Sequence, residues 1–261
     1  CDGGCIDAAV DGFADGSTDG SADGSSSDGS HDGPGGPSLR IATFGPTRAP
    51  GYSLSGGSSS TRVRAALEQF FPIVWVPVAS LESLDATKAD GALLSSWASS
   101  FSPLDPISGA EQVALRAFVE NGRFVVLLLD NDGFGLGKDL ASDALAAPFG
   151  LGADGTVNGV DGGDVAATFL VAHPAAGGET MLPQFLPGWL ATGDASVAPK
   201  VLATNPGGAA VALFEKGALA QGSGAVAVFS DNGSFMDDVV GAPTPAAQHV
   251  IVATVLHVSG K

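Results

Sequence analysis

Phe124 to Leu129 is an unbroken run of six apolar residues that stops at Asp130-Asn131-Asp132-Gly133. Such a run is too short for a free-standing helix, and it lacks the polar alternation of a strand with one wet face. It predicts a strand covered on both faces, as in a parallel sheet. The residues before it predict the helix that delivers it. Ser108 and Glu111 have capping-box spacing, in which each side chain satisfies a free N–H at the helix start. Ala114, Leu115, Phe118 and Val119 then form an apolar stripe. Asn121-Gly122 supplies a left-handed stop. In an open α/β sheet, ligands bind at the carboxyl ends of the strands. The sequence therefore marks Asp130 as the start of a candidate site without saying what is bound.

The rest of the chain repeats the alternation. Strands are predicted at 39–44, 73–78 and 91–94. Between the first two lie a Gly-, Ser- and Pro-rich loop at 45–60 and a helix with Val63, Ala66, Leu67 and Phe70 on one face, stopped by Pro72. Pro77 predicts that its strand is at an edge or near its end. Residues 81–89 hold a short helix, and Trp97 and Phe101 fall in a loop. Beyond Gly133 the pattern predicts a helix with Leu140, Ala144 and Ala147, a glycine-rich loop at 151–163, and strands at 165–171, 201–204, 209–215 and 225–229. The last two of these strands form an antiparallel hairpin. A final helix is capped by Thr244 and Pro245. The expected fold is α/β: a mainly parallel sheet with helices on both faces.

Composition limits the partners. The chain has 261 residues, 44% hydrophobic and only 15% charged, yet a formal net charge of -17. Eleven basic residues spread over that length do not make the clustered Lys and Arg that nucleic acid or anionic lipid headgroups require. Cysteine occurs only at positions 1 and 5. That excludes a cysteine nucleophile, a structural cysteine–zinc site and an iron–sulfur cluster in the part of the chain that can form a core.

Residues 1–37 are a low-complexity Asp/Gly/Ser segment, with eight acids and no Lys or Arg. Burial there cannot offset the cost of ordering the backbone, so a flexible, self-repelling spacer is expected. Its Asp-Gly spacing of four does not match a calcium loop. Cys1 ahead of such a spacer resembles the start of a mature bacterial lipoprotein. In that reading Cys1 carries the lipid, the membrane is a partner through that anchor, and the protein sits at the periplasmic or surface face of the cell envelope. Cys5 is then left single. If Cys1 is only an arbitrary boundary, Cys1 and Cys5 could close a small disulfide loop. The single folded domain is expected over 38–261.

The order of motifs resembles class I glutamine amidotransferase-like domains. The residues that carry the resemblance are Asp90-Gly-Ala-Leu-Leu, Phe101-Ser-Pro-Leu, Leu115-Arg-Ala-Phe-Val-Glu-Asn-Gly122 with its following strand, and Gly224-Ala-Val-Ala-Val-Phe-Ser-Asp231. They are most similar to the non-catalytic, flavodoxin-like branch with trehalose-utilisation-like and periplasmic transporter-associated members. The resemblance implies a flavodoxin-like arrangement over about 39–258. Active members carry a Cys on a Gly-x-Cys-x-Gly turn, with a later His and acid. Here that turn reads Asp130-Asn131-Asp132-Gly133, no G-x-S-x-G offers a serine instead, and no His follows the late strand near Asp231. The resemblance thus points to a domain that binds a ligand, such as a carbohydrate, or a protein partner.

Five residues are the candidate ligand-binding set: Asp130, Asn131 and Asp132 at one strand end, and Asp231 and Asn232 at another. If the two strands are neighbours, their oxygens converge on one crevice. Such a set could bind a polyol, or hold a divalent cation for a metal-assisted hydrolase using Asp130, Asp132 and Asp231. Asp and Asn at strand ends also cap helices and make turns, so a scaffold domain is the third reading. No cofactor beyond that cation is expected. Gly133-x-Gly-x-Gly137 has neither dinucleotide nor P-loop spacing, and the aspartates beside it repel phosphate. His173, His249 and His257 lack metal-ligand spacing and are expected as surface or capping residues.

Overall fold

The computed structural model describes residues 38–99, 102–130, 140–155, 165–192, 197–239 and 241–261. Cys1, Cys5, the Asp/Gly/Ser segment, Asn131, Asp132 and the Gly133–Gly137 loop lie outside the described residues.

In chain order the elements are β1 (Leu39–Phe44), α1 (Thr61–Phe70), β2 (Ile73–Val78), β3 (Gly91–Ser95), β4 (Trp97–Ser99), β5 (Ser102–Pro103), α2 (Gly109–Glu120), β6 (Phe124–Leu128), α3 (Leu140–Ala146), β7 (Leu151–Asp154), β8 (Val165–Phe169), β9 (Met181–Gln184), β10 (Trp189–Thr192), β11 (Lys200–Asn205), β12 (Gly208–Phe214), β13 (Val226–Phe229) and α4 (Pro245–Ser259). The main sheet runs β2-β1-β3-β6-β13-β12-β11-β8-β9, with β10 and β7 branching from β12. Its first five strands are parallel. From β12 onward the pairings are antiparallel. The fold is α/β as expected. β2 is at an edge, one of the two placements Pro77 predicts, and β12–β13 is the expected antiparallel pair.

The apolar run of β6 is explained by its two covers. Phe124, Val126 and Leu128 face one core with Val63 and Leu67 of α1 and Val250, Ile251 and Val255 of α4. Val125, Leu127 and Leu129 face a second core with Leu115, Phe118 and Val119 of α2 and Ala141 and Leu145 of α3. Side chains alternate across a strand, so both parities must be apolar when both faces are dry. Close approach has a cost at Gly91, where an added Cβ would lie 2.3 Å from the Phe124 ring.

The helix ends follow their sequence signals. Ser108 Oγ accepts the Glu111 N–H at 3.1 Å, and Glu111 Oε2 accepts the Ser108 N–H at 3.0 Å. Gly122 takes φ 86° beyond α2. Thr244 Oγ1 accepts the Ala247 N–H at 3.1 Å at the start of α4.

Some elements differ from expectation. Residues 151–154, read as loop, form β7 because Gly152 and its neighbours pair with β10. Trp97–Ser99, also read as loop, forms β4 and pairs antiparallel with β5. Residues 81–87 form two short 3-10 turns rather than one helix.

Candidate functional site

Adjacent strands β6 and β13 are in register at Leu128 and Phe229. Asp130 and Asp231, each two residues further on, therefore reach the same carboxyl rim of the parallel strands. Asp130 is buried, and its N–H donates to Ser142 Oγ at 2.9 Å. Ser142 Oγ in turn donates to Ser96 Oγ at 2.8 Å.

Asp231 is 1% exposed. Its Oδ2 accepts the Phe185 N–H at 2.8 Å and the Ser234 hydroxyl at 2.6 Å, and its Oδ1 accepts the Gly233 N–H at 2.9 Å. Burial disfavours the charged form, while these donors favour it. Burial wins, and the pKa is pushed up to about 6. Asn232 is equally buried and donates from Nδ2 to Ser95 Oγ of β3 at 3.3 Å. Gln184 Nε2 donates to Ser230 Oγ, and Asn205 Nδ2 donates to Gln184 Oε1 and the Gly188 carbonyl. The rim is thus floored by a buried polar network. Asp231 anchors the turn at 233–235 and fixes Phe185 through its backbone. Phe185 and Ser234 then line a cavity of about 260 Å³ with Pro183, Val239, Ala242 and Thr244.

The loop at 45–60 closes over this rim. Gly51 and Tyr52 donate backbone hydrogen bonds to the Ala98 carbonyl. Tyr52 Oη donates to Asp238 Oδ1 at 3.3 Å. Arg48 pairs with Glu111, donates to the Ala79 carbonyl, and lies 4.7 Å from the Phe44 ring centroid. Glu111 also accepts the Leu81 N–H at 3.1 Å. Burial alone would raise the Glu111 pKa, but the Arg48 guanidinium and the Ser108 and Leu81 N–H groups overcome it and hold it at about 2. One capping carboxylate therefore ties α2 to two loops. The S-x-x-E spacing showed the cap; nothing local in the sequence showed the ion pair.

A second cluster lies at the opposite rim. His173 Nε2 is 3.2 Å from Glu215 Oε1, and His257 Nε2 is 2.8 Å from Glu215 Oε2. The two imidazoles meet edge to face at 4.9 Å. His173 caps the turn at 174–176, as a capping histidine should, but it is buried rather than at the surface. His249 pairs instead with Glu179 at 3.0 Å. Among the described residues, His173, Glu215 and His257 are a trio with metal-ligand spacing in space. They come from three separate segments, so no motif could have revealed them.

Comparison with known proteins reaches the fold and stops there. No protein-family model matches the chain, and no curated protein matches it in sequence. The N-terminal domain of mmIFT52 superposes with a TM-score of 0.61 at 13% identity, over 86% of this chain and 98% of that one. A ThuA-like protein of Bacteroides uniformis ATCC 8492 superposes with a TM-score of 0.52 at 10% identity, over 85% and 91%. The fold is amidotransferase-like. A cytoplasmic protein of Salmonella typhimurium LT2, STM1381, shares it with a TM-score of 0.54 at 12% identity, over 85% and 98%. Identities this low show a shared fold and carry no activity across.

Proposed function

We propose that this amidotransferase-like domain is a binding module of the bacterial cell envelope. It is held to the membrane by lipid on Cys1 and the acidic spacer, and it docks a protein partner without catalysing a reaction. The observation that carries the reading is the contrast, among the described residues, between a rim whose polar groups are engaged internally and a sheet edge with exposed apolar side chains. At the rim, the oxygens of Asp231 and the amide of Asn232 are engaged by internal partners. At the edge, Leu170, Val171 and Met181 are 54%, 49% and 54% exposed beside β8 and β9. Strand β9 pairs with β8 on one side, and its far end leads into the mainly apolar cavity beside Phe185. An edge strand with apolar neighbours suits an added peptide strand whose side chains take the pocket. The cavity's hydroxyls already serve internal bonds, since Ser234 Oγ lies within hydrogen-bond distance of both the Pro183 carbonyl and Asp231 and Thr244 caps α4. That favours an apolar side chain over a sugar.

The experiment is photo-crosslinking in cells, with the crosslinker placed at Met181 and, as a control, at exposed Glu82. A discrete protein adduct at Met181 alone, lost in Leu170→Asp, is the expected result. No adduct at Met181, together with a glycan that raises Tm, would replace the partner with a carbohydrate. The scaffold reading draws support from the same closed rim and predicts neither outcome. A hydrolase built on Asp130, Asp132 and Asp231 would have to share Asp231 with the Phe185, Gly233 and Ser234 donors it now accepts.

A further inference from the structure

We propose that His173, Glu215 and His257 form a binding site for a divalent transition-metal ion of the zinc class. The site is at the rim opposite the one discussed above and does not depend on that reading. Two imidazoles and one carboxylate are a donor set that suits zinc and its neighbours. Calcium and magnesium are disfavoured because they want oxygen ligands throughout. One ligand atom from each residue lies within 4.8 Å of the other two. Tetrahedral zinc at ordinary bond lengths sets its ligands about 3.4 Å apart; His173 and His257 lie 3.2 and 2.8 Å from separate oxygens of Glu215, so the side chains must turn to share one ion.

The site is assembled by the fold rather than by chance surface contact. His173 is held in the turn at 174–176, and that turn is pinned to α4 by Thr254 Oγ1 donating to the Ala175 carbonyl at 2.9 Å. Gly177 approaches α4 so closely that a Cβ there would lie 3.0 Å from Ala253 Cβ. His257 is on that same helix, and Glu215 directly follows β12. Glu215 and His257 also line a cavity of about 420 Å³, which leaves room for a water or an outside ligand in a fourth position. Three protein ligands beside an open position is the arrangement of reactive zinc sites.

Metal binding must change the state of His173. Its Nδ1 now accepts the Ala175 N–H at 3.2 Å, so its proton is on Nε2, facing Glu215. Coordination through Nε2 sends that proton to solvent while Nδ1 takes one up, with no net change at the ring. The Ala175 N–H then loses its acceptor. Lys200 sets its positive charge against His173 and opposes a dication, while the Glu215 carboxylate favours one.

The test uses the full chain without a histidine tag, carrying Cys1→Ser and Cys5→Ser so that thiols do not compete. Zinc chloride is titrated by calorimetry, and the imidazole nitrogens are followed by NMR. One zinc per chain is expected, with affinity falling at least about 100-fold in His257→Gln and in Glu215→Gln and unchanged in His249→Gln. The His173 proton should move from Nε2 to Nδ1 on saturation. That signal is read on the histidine-intact protein, so it stands even if a variant fails to fold. No saturable binding, binding that both variants leave intact, or saturation with the His173 tautomer unmoved would each overturn the site.

Discussion

Asp231 should make the protein more stable as the pH falls from 7 toward 4, against the usual behaviour of a native carboxylate. Its pKa is about 6 in the folded protein against an ordinary value of 3.8, because burial removes the solvation of the charge. The sign follows from linkage: the folded state binds the proton more tightly than the unfolded one, so stability rises as the proton goes on. The full effect of this shift is about 3 kcal/mol, present below the unfolded pKa and lost as pH rises through 6. From pH 7 to pH 5 the gain is about 1 kcal/mol, and by pH 4 it is about 2 kcal/mol. Other groups titrate in this range, so the quantity to measure is the difference between the native chain and Asp231→Asn. Urea unfolding followed by tryptophan fluorescence at pH 7, 6, 5 and 4 gives it directly. Asn keeps one acceptor and turns an amide toward the donors of Phe185, Gly233 or Ser234, so the variant is less stable throughout; only the pH dependence of the gap matters. A gap that stays flat, or that shrinks as pH falls, would show that the three hydrogen bonds outweigh burial and would refute the reasoning.

Glu111→Gln should cost about 3–5 kcal/mol by equilibrium denaturation, because Arg48 is left buried without its anion. The native Glu111, held at about 2, contributes stability that is present above its unfolded pKa and lost as pH falls from about 4.5 toward 2; the acid limb of a stability profile should lose that step in Glu111→Gln. Gly91→Ala should cost about 1–3 kcal/mol through its clash with the Phe124 ring, readable as a lowered Tm with unchanged far-UV circular dichroism. The proposed anchor predicts that protein isolated from its own cells exceeds its polypeptide mass by a diacylglyceryl-sized increment at Cys1; an unmodified Cys1 removes the anchor.

The parallel half of this fold was legible because its signals are local. The run 124–129 declared a doubly covered strand, Ser108 and Glu111 declared a helix start, and Pro77 declared an edge or a strand end. The partners of β7 and β10 were not legible, since short strands near glycine take their structure from a distant neighbour and not from their own pattern. At the rim, sequence gave the residue types at Asp130 and Asp231, and topology brought them side by side. What it could not give was where their hydrogen bonds go. Asp231 looks like a ligand on paper because an anion at a strand end is visible, whereas the Phe185 and Ser234 donors that occupy it are contributed by tertiary structure. The histidine–glutamate trio was missed for the same reason: its members are adjacent only after α4 docks on the turn after His173.

Strand β13 comes last of the strands in the sequence yet sits in the middle of the sheet, between β6 and β12. The parallel strands before it and the antiparallel strands beyond it have no shared seam until Val226–Phe229 has been synthesised and inserted. A nascent chain that stops short of this strand holds two half-sheets with raw edges. Completion of the sheet is thereby postponed until nearly the whole polypeptide is available.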